Sequence, residues 1–193
     1  MRMYKIVPLV AALAAVGSAH ADGVGARVGT TGIGGDLAWS VAPAVSARIG
    51  YSAGSYKRNI TTSDARYDGK LKLSNANVFL DFGPPAVPRL TVGFLGNFNK
   101  IDVNGQANDG TNLSGTIKWS NKAAPYVGFG YGNVAGTGVN FYFDLGVAYL
   151  GTPKSSLSCG SSSVCAAEQA TLDDKIKKYK YLPVASIGFT IGF

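Results

Sequence analysis

Five charged residues recur along this chain among glycines and asparagines: Arg27, Asp36, Arg48, Asp81 and Asp144. Most are flanked on both sides by apolar neighbours, as in Ala26-Arg27-Val28, Ala47-Arg48-Ile49 and Leu80-Asp81-Phe82. Two guanidiniums and three carboxylates on a shared interior face make either a polar pathway with a gate or a filled interior whose charges pair. Acid–base or nucleophilic catalysis would ordinarily add a histidine as general base. The chain has one histidine, His20. Cys159 and Cys165 suit a single short-loop disulfide in an oxidising compartment. Their spacing is not Cys-x-x-Cys and no histidine stands beside them, so neither redox chemistry nor metal binding is expected. Gly128-x-Gly130-x-Gly132 and Gly32-x-Gly34-Gly35 superficially resemble phosphate loops, but neither opens a helix after a strand. No cofactor is expected.

The start of the chain reassigns that histidine. Arg2 and Lys5 precede an apolar run over residues 6–16, and Ala19-His20-Ala21 fits the small-residue cleavage rule. Residues 1–21 therefore read as a secretory signal peptide and residues 22–193 as one domain. His20 would leave with the signal, so a Ser–His or Asp–His device is not available and no enzyme is expected. The apolar run is too short to span a bilayer, and none of comparable length follows it. A membrane protein without a membrane helix must be a closed barrel or peripherally attached. With 46% hydrophobic residues the chain is not disordered, and 26 glycines against 15% charged residues give a glycine-rich, charge-poor mix.

Period-2 alternation then runs almost throughout. Val24, Ala26 and Val28 oppose Gly25 and Arg27, and the phase slips near Thr31 before Ile33, Leu37, Trp39 and Val41. A hairpin or a bulge produces such a slip; an even strand number favours the hairpin. Further strands are expected over residues 45–56, 70–83, 90–103, 116–133 and 139–149, and a last one from Tyr181 to Phe193. Residues 42–44, 83–88 and 135–138 are short turns rich in proline or glycine. Residues 59–69, 104–114 and 152–180 read as long polar loops, the last with a helical pattern over 166–179. The count is eight strands. The expected fold is an all-β, antiparallel transmembrane barrel, with glycines and polar residues inside, apolar residues toward lipid, and aromatics gathered near both ends. Alternating glycines at 128, 130 and 132 keep the inward face flat.

In the final strand Ile187, Phe189, Ile191 and Phe193 alternate with Ser186, Gly188, Thr190 and Gly192. Ser186, Gly188, Ile191 and Phe193 resemble, in type and spacing, the C-terminal insertion signal of bacterial outer-membrane barrels. Taken whole, the domain is similar to the small eight-stranded outer-membrane proteins of the OmpA and opacity-protein type. That resemblance implies recognition by the barrel-assembly machinery, short periplasmic turns, longer outer loops and residence in the outer membrane. Lysines crowd the predicted outer side, among them Lys175, Lys177, Lys178 and Lys180. They suit either contact with lipopolysaccharide phosphates or a solvated loop surface. The expected role is non-enzymatic, in envelope structure and surface interaction, by a monomer with outer-membrane lipid and lipopolysaccharide as partners and no nucleic acid. The alternative is a narrow channel for small or apolar solutes.

Overall fold

A computed structural model describes residues 22–61, 65–84, 87–107, 112–158, 173–174 and 176–193. Residues 1–21, read from the sequence as a secretory signal, together with Cys159, Cys165, Lys175 and most of the helical pattern at 166–179, lie outside the described residues. Eleven strands follow in order: β1 (Gly23–Gly29), β2 (Gly32–Ala42), β3 (Val45–Thr61), β4 (Ala65–Phe82), β5 (Arg89–Asn97), β6 (Lys100–Ala107), β7 (Asn112–Trp119), β8 (Ala123–Gly132), β9 (Gly138–Tyr149), β10 (Pro153–Ser158) and β11 (Tyr181–Gly192).

Eight of them close a ring: β1, β2, β3, β4, β5, β8, β9 and β11, each antiparallel to its neighbours, with β11 returning to β1. Closure removes both sheet edges, so every ladder group is paired within the wall. The phase slip near Thr31 is a hairpin: β1 and β2 pair from Gly29↔Gly32 down to Gly23↔Ala38. Phe193 N donates to Asp22 O at 3.3 Å across the β1–β11 seam.

The wall's outer surface is apolar and exposed. Phe141 is 70% exposed, Phe129 68% and Ile187 59%, in alternation with buried Tyr142, Gly128 and Gly188. Apolar exposure on this scale requires an apolar solvent. Along β9 the outward residues run from Val139 to Tyr149. Ten steps of about 3.4 Å, tilted by about 40°, give a band of about 26 Å, near the 25 Å of an outer-membrane barrel. Phe141 and Phe189 meet toward one end and Tyr149 and Tyr181 at the other, with ring centroids 6.5 and 5.3 Å apart.

Two expectations need correction. Residues 90–103 and 116–133 are not continuous strands: the first divides at Phe98–Asn99 into β5 and β6, the second at Ser120–Lys122 into β7 and β8. A matching break at Leu150–Thr152 separates β9 from β10. The breaks are tied together: Asn97 N donates to Lys122 O, Asn121 N to Leu150 O and Ser120 N to Thr152 O. Gly151 sits in this line at φ +74, and a Cβ there would lie 2.3 Å from Ser120 Oγ. Beyond the line, β4 changes partner from β5 to β6, and β6, β7 and β10 continue as an outer sheet. Of the predicted polar loops, residues 59–61, 65–69, 104–107, 112–114 and 153–158 are therefore strand, because a sheet with a wet outward face still satisfies its backbone through the ladder. The first outer connection, Thr30–Thr31, is only a tight turn, so β2 pairs with β3 only as far as Ala53 and, among the described residues, the upper part of β3 is paired on the β4 side alone.

Candidate functional site

The five sequence-identified charges all point into the barrel and are buried: Arg27, Asp36, Arg48, Asp81 and Asp144. Each comes from a different strand, β1, β2, β3, β4 and β9, and only ring closure brings them together. A sixth, Arg89 on β5, joins them. It stands at the edge of the proline-rich turn, one residue before Leu90, where the alternation of the sequence first becomes visible. Carrying the parity of Thr91 back by two residues would have found it.

Arg48 is the hub. Its Nε donates to Asp81 Oδ2 at 2.6 Å and its Nη1 to Asp144 Oδ2 at 2.9 Å. Arg89 bridges the same two carboxylates, through Nε to Asp81 Oδ1 at 3.1 Å and Nη2 to Asp144 Oδ1, while its Nη1 reaches Gly132 O. The Thr91 hydroxyl donates to Asp81 Oδ1 at 2.5 Å. A second group adjoins it. Arg27 lies 3.4 Å from Asp36 and donates to Asn77, Asn77 donates to Asp36, and the Tyr142 hydroxyl donates to Asp36 Oδ2 at 2.7 Å. Three guanidiniums thus face three carboxylates, and the interior charge is balanced. The Tyr142 ring lies between the groups, 5.0 Å from the Arg48 guanidinium and 5.6 Å from that of Arg89.

The glycines make this packing possible. A Cβ at Gly130 would lie 2.6 Å from both Arg89 Cζ and Asp144 Oδ1, and one at Gly188 would lie 2.4 Å from Tyr142 Cζ. The flat glycine face is therefore covered by long side chains from the neighbouring strands, Arg89 and Asp144 directly opposite Gly130 and Tyr142 directly opposite Gly188. Toward the outer end part of the lumen turns apolar: Phe79, Leu95, Ala124, Tyr126, Ala148, Leu150 and Val184 cluster, with Trp119 and Leu182 packed against them, while buried Asn75, Asn97 and Asn99 fill the side of β4 and β5. Phe79 and Tyr126 stack at 4.5 Å. Small and polar residues alone were expected inside; the apolar layer at Phe79 and Leu95 departs from that. An eight-stranded interior is a packed core, and apolar side chains fill it without needing partners.

Two solved crystal structures resemble this chain over nearly its whole length. Acinetobacter baumannii CarO2 superposes with a TM-score of 0.67 at 25% identity, covering 90% of this chain and 99% of that one. Acinetobacter baumannii CarO gives 0.64 at 23%, with 90% and 98% covered. The chain is an eight-stranded outer-membrane β-barrel. No family model and no curated protein matches it.

The four residues that the sequence suggests as an insertion signal, three on β11 and Phe193 just after it, have distinct environments. Ser186 is buried, Gly188 makes room beneath the Tyr142 ring, and Ile191 and Phe193 are 49% and 65% exposed on the lipid side. Three of the four outer lysines singled out at 175–180 are described. Lys177 Nζ donates to Asp174 Oδ1 at 2.5 Å, and Lys178 lies 5.3 Å from the Tyr179 ring centroid. Both charges have local partners. Nearby, the Ser155 hydroxyl and amide hold the Asp173 carboxyl below the usual carboxylate range, the amide donating at 2.7 Å.

Proposed function

We propose that this is a closed, non-catalytic outer-membrane barrel whose work is done at its outer surface, in envelope structure and surface contacts, and not by passage through its lumen. The observation that carries this reading is the Arg48–Arg89–Asp81–Asp144 network, whose charged groups cross-link three wall strands and the start of a fourth. Removing one partner from a buried ion pair costs about 3–5 kcal/mol, so an opening that breaks Arg48 from its carboxylates would be populated at roughly one part in a hundred or less. Outside it the apolar cluster offers nothing to a hydrated ion, and the asparagines beside it already have partners, Asn99 donating to Asn75 and Asn97 to Asn121 O. With a secretion signal at residues 1–21, a terminal strand that ends on the insertion residues Ser186, Gly188, Ile191 and Phe193, and a Cys159–Cys165 bridge in the outermost connection, the chain would be exported, oxidised and assembled as a monomer. Lipopolysaccharide is the proposed lipid partner. Lys175, Lys177, Lys178 and Lys180 were the first candidates for that contact, and the local pairing of Lys177 weakens their case.

Planar-bilayer recording tests the reading. The folded protein should leave the membrane silent at 100 mV across salt concentrations. Discrete, reproducible openings from the pure protein would replace it with a channel.

A further inference from the structure

The outer sheet carries a row of four lysines. Lys72 on β4 stands directly opposite Lys100 on β6, Lys100 opposite Lys118 on β7, and Lys118 opposite Lys154 on β10. Directly paired residues share one face of a sheet, so four ammonium groups line up across four strands, about 4.8 Å apart from strand to strand. Lys57 and Lys70, paired on β3 and β4, lie one rung away on the same face. Like charges placed opposite each other destabilise a sheet. Within the protein the row is only partly offset. Asp102 is shared by two of its members, 2.6 Å from Lys72 Nζ and 3.8 Å from Lys100 Nζ, and the Lys154 charge adds to the Ser155 hydrogen bonds that lower the Asp173 carboxyl. Lys118 and Lys154 are exposed.

The face and its height decide what meets it. The lysines continue the parity of Val78 and Leu80, which look outward to lipid, and not that of Asn75 and Asn77, which look into the lumen. Lys100 follows the exposed Phe98 by two residues. At about 3.4 Å per residue and about 40° of tilt, the row sits about 5 Å beyond the last aromatic of the lipid-facing band. The headgroup layer on each side of a bilayer is about 5–7 Å deep. The row is thus at headgroup level and on the headgroup side of the sheet.

We infer that Lys72, Lys100, Lys118 and Lys154 form a binding strip for the phosphate groups of the outer-leaflet glycolipid. The inference rests on the outer-membrane placement of the barrel, and it assigns the lipopolysaccharide contact to the outer sheet and not to residues 175–180. The ligand supplies the anions that the row lacks, and a row of cations matches a headgroup that carries more than one phosphate.

The test uses the full mature chain, folded in detergent, incubated with bis-phosphorylated lipid A and read by native mass spectrometry. The wild-type barrel should retain the lipid. The Lys118→Gln/Lys154→Gln variant, altered at two exposed positions and checked for folding by gel mobility without boiling, should bind roughly thirtyfold more weakly, from about 1 kcal/mol per lysine near an anionic headgroup. A Lys177→Gln/Lys178→Gln variant should bind as the wild type does, and fully dephosphorylated lipid A should not be retained. Undiminished retention by the Lys118/Lys154 variant overturns the assignment, as does equal retention of the dephosphorylated lipid. Displacement of the lipid by millimolar inorganic phosphate would show a free-ion site and would overturn the glycolipid as occupant. None of these outcomes alters the bilayer recording, so the strip and the closed lumen stand or fall separately.

Discussion

Replacing Arg48 by alanine separates a structural plug from a working gate. Arg48 on β3 contacts both Asp81 and Asp144 and makes four hydrogen bonds to them, between 2.6 and 3.3 Å. Its loss leaves three buried carboxylates against two guanidiniums. The general figure for breaking a buried pair is about 3–5 kcal/mol. The lower end applies here, because Arg89 still bridges both carboxylates and Thr91 still donates to Asp81. With a urea dependence of about 2 kcal/mol per molar, a loss of about 3 kcal/mol lowers the unfolding midpoint by about 1.5 M. The assay is urea unfolding in lipid vesicles, followed by the fraction that keeps its folded mobility on an unheated gel. The double variant Arg48→Ala/Asp144→Asn should recover part of the loss, because it removes the uncompensated charge together with its partner. A midpoint within about 0.3 M of wild type, accompanied by new ion conductance, would refute the reasoning: Arg48 would then be a movable gate with little structural role.

Two further outcomes follow from the same geometry. Gly130→Ala should push the Arg89 guanidinium off Asp144, since the new methyl would sit 2.6 Å from both, with a loss of about 2 kcal/mol seen as an unfolding midpoint about 1 M lower in urea. The outer sheet should loosen in acid. The Lys72 ammonium, with Lys100 beside it, holds the Asp102 carboxyl below its ordinary range, so its contribution is fully present above the unfolded value of about 3.9 and is lost as pH falls through the lower folded value. Amide protection in β6 should therefore drop as pH is taken from about 5 to below 3, and Asp102→Asn should lack that drop.

Much of the barrel is legible residue by residue. The runs Val139 to Tyr149 and Ile187 to Phe193 alternate without a fault, because each residue's face is fixed by the pleat and each face has its own solvent. The five interior charges were readable for the same reason: a charge at inward parity between lipid-facing residues has nowhere else to go. Arg89 escaped because its strand begins one residue after a proline, where the turn hid the first step of the alternation. What one strand cannot show is its partner. The exchange of β5 for β6 beside β4 depends on residues far apart in sequence, and the breaks at Phe98–Asn99, Ser120–Lys122 and Leu150–Thr152 come into line only after folding. Gly151 was a local hint to one of them. The outer sheet is hidden in the sequence for a different reason. Lys100, Asp102, Thr116 and Lys118 make its outward face look like loop, while Leu71, Ile101 and Ile117 on the other face still carried the period of two.

Labelling a single thiol inside the lumen tests the closed interior most directly. Ser52 is fully buried on the inward face of β3, opposite Asn75, and cysteine is nearly its shape. In a chain carrying Ser52→Cys with serine at 159 and 165, folded in lipid vesicles, a small charged methanethiosulfonate reagent should leave the thiol unmodified for hours and modify it at once in denaturing urea. Complete modification of the folded protein within minutes would contradict a sealed lumen.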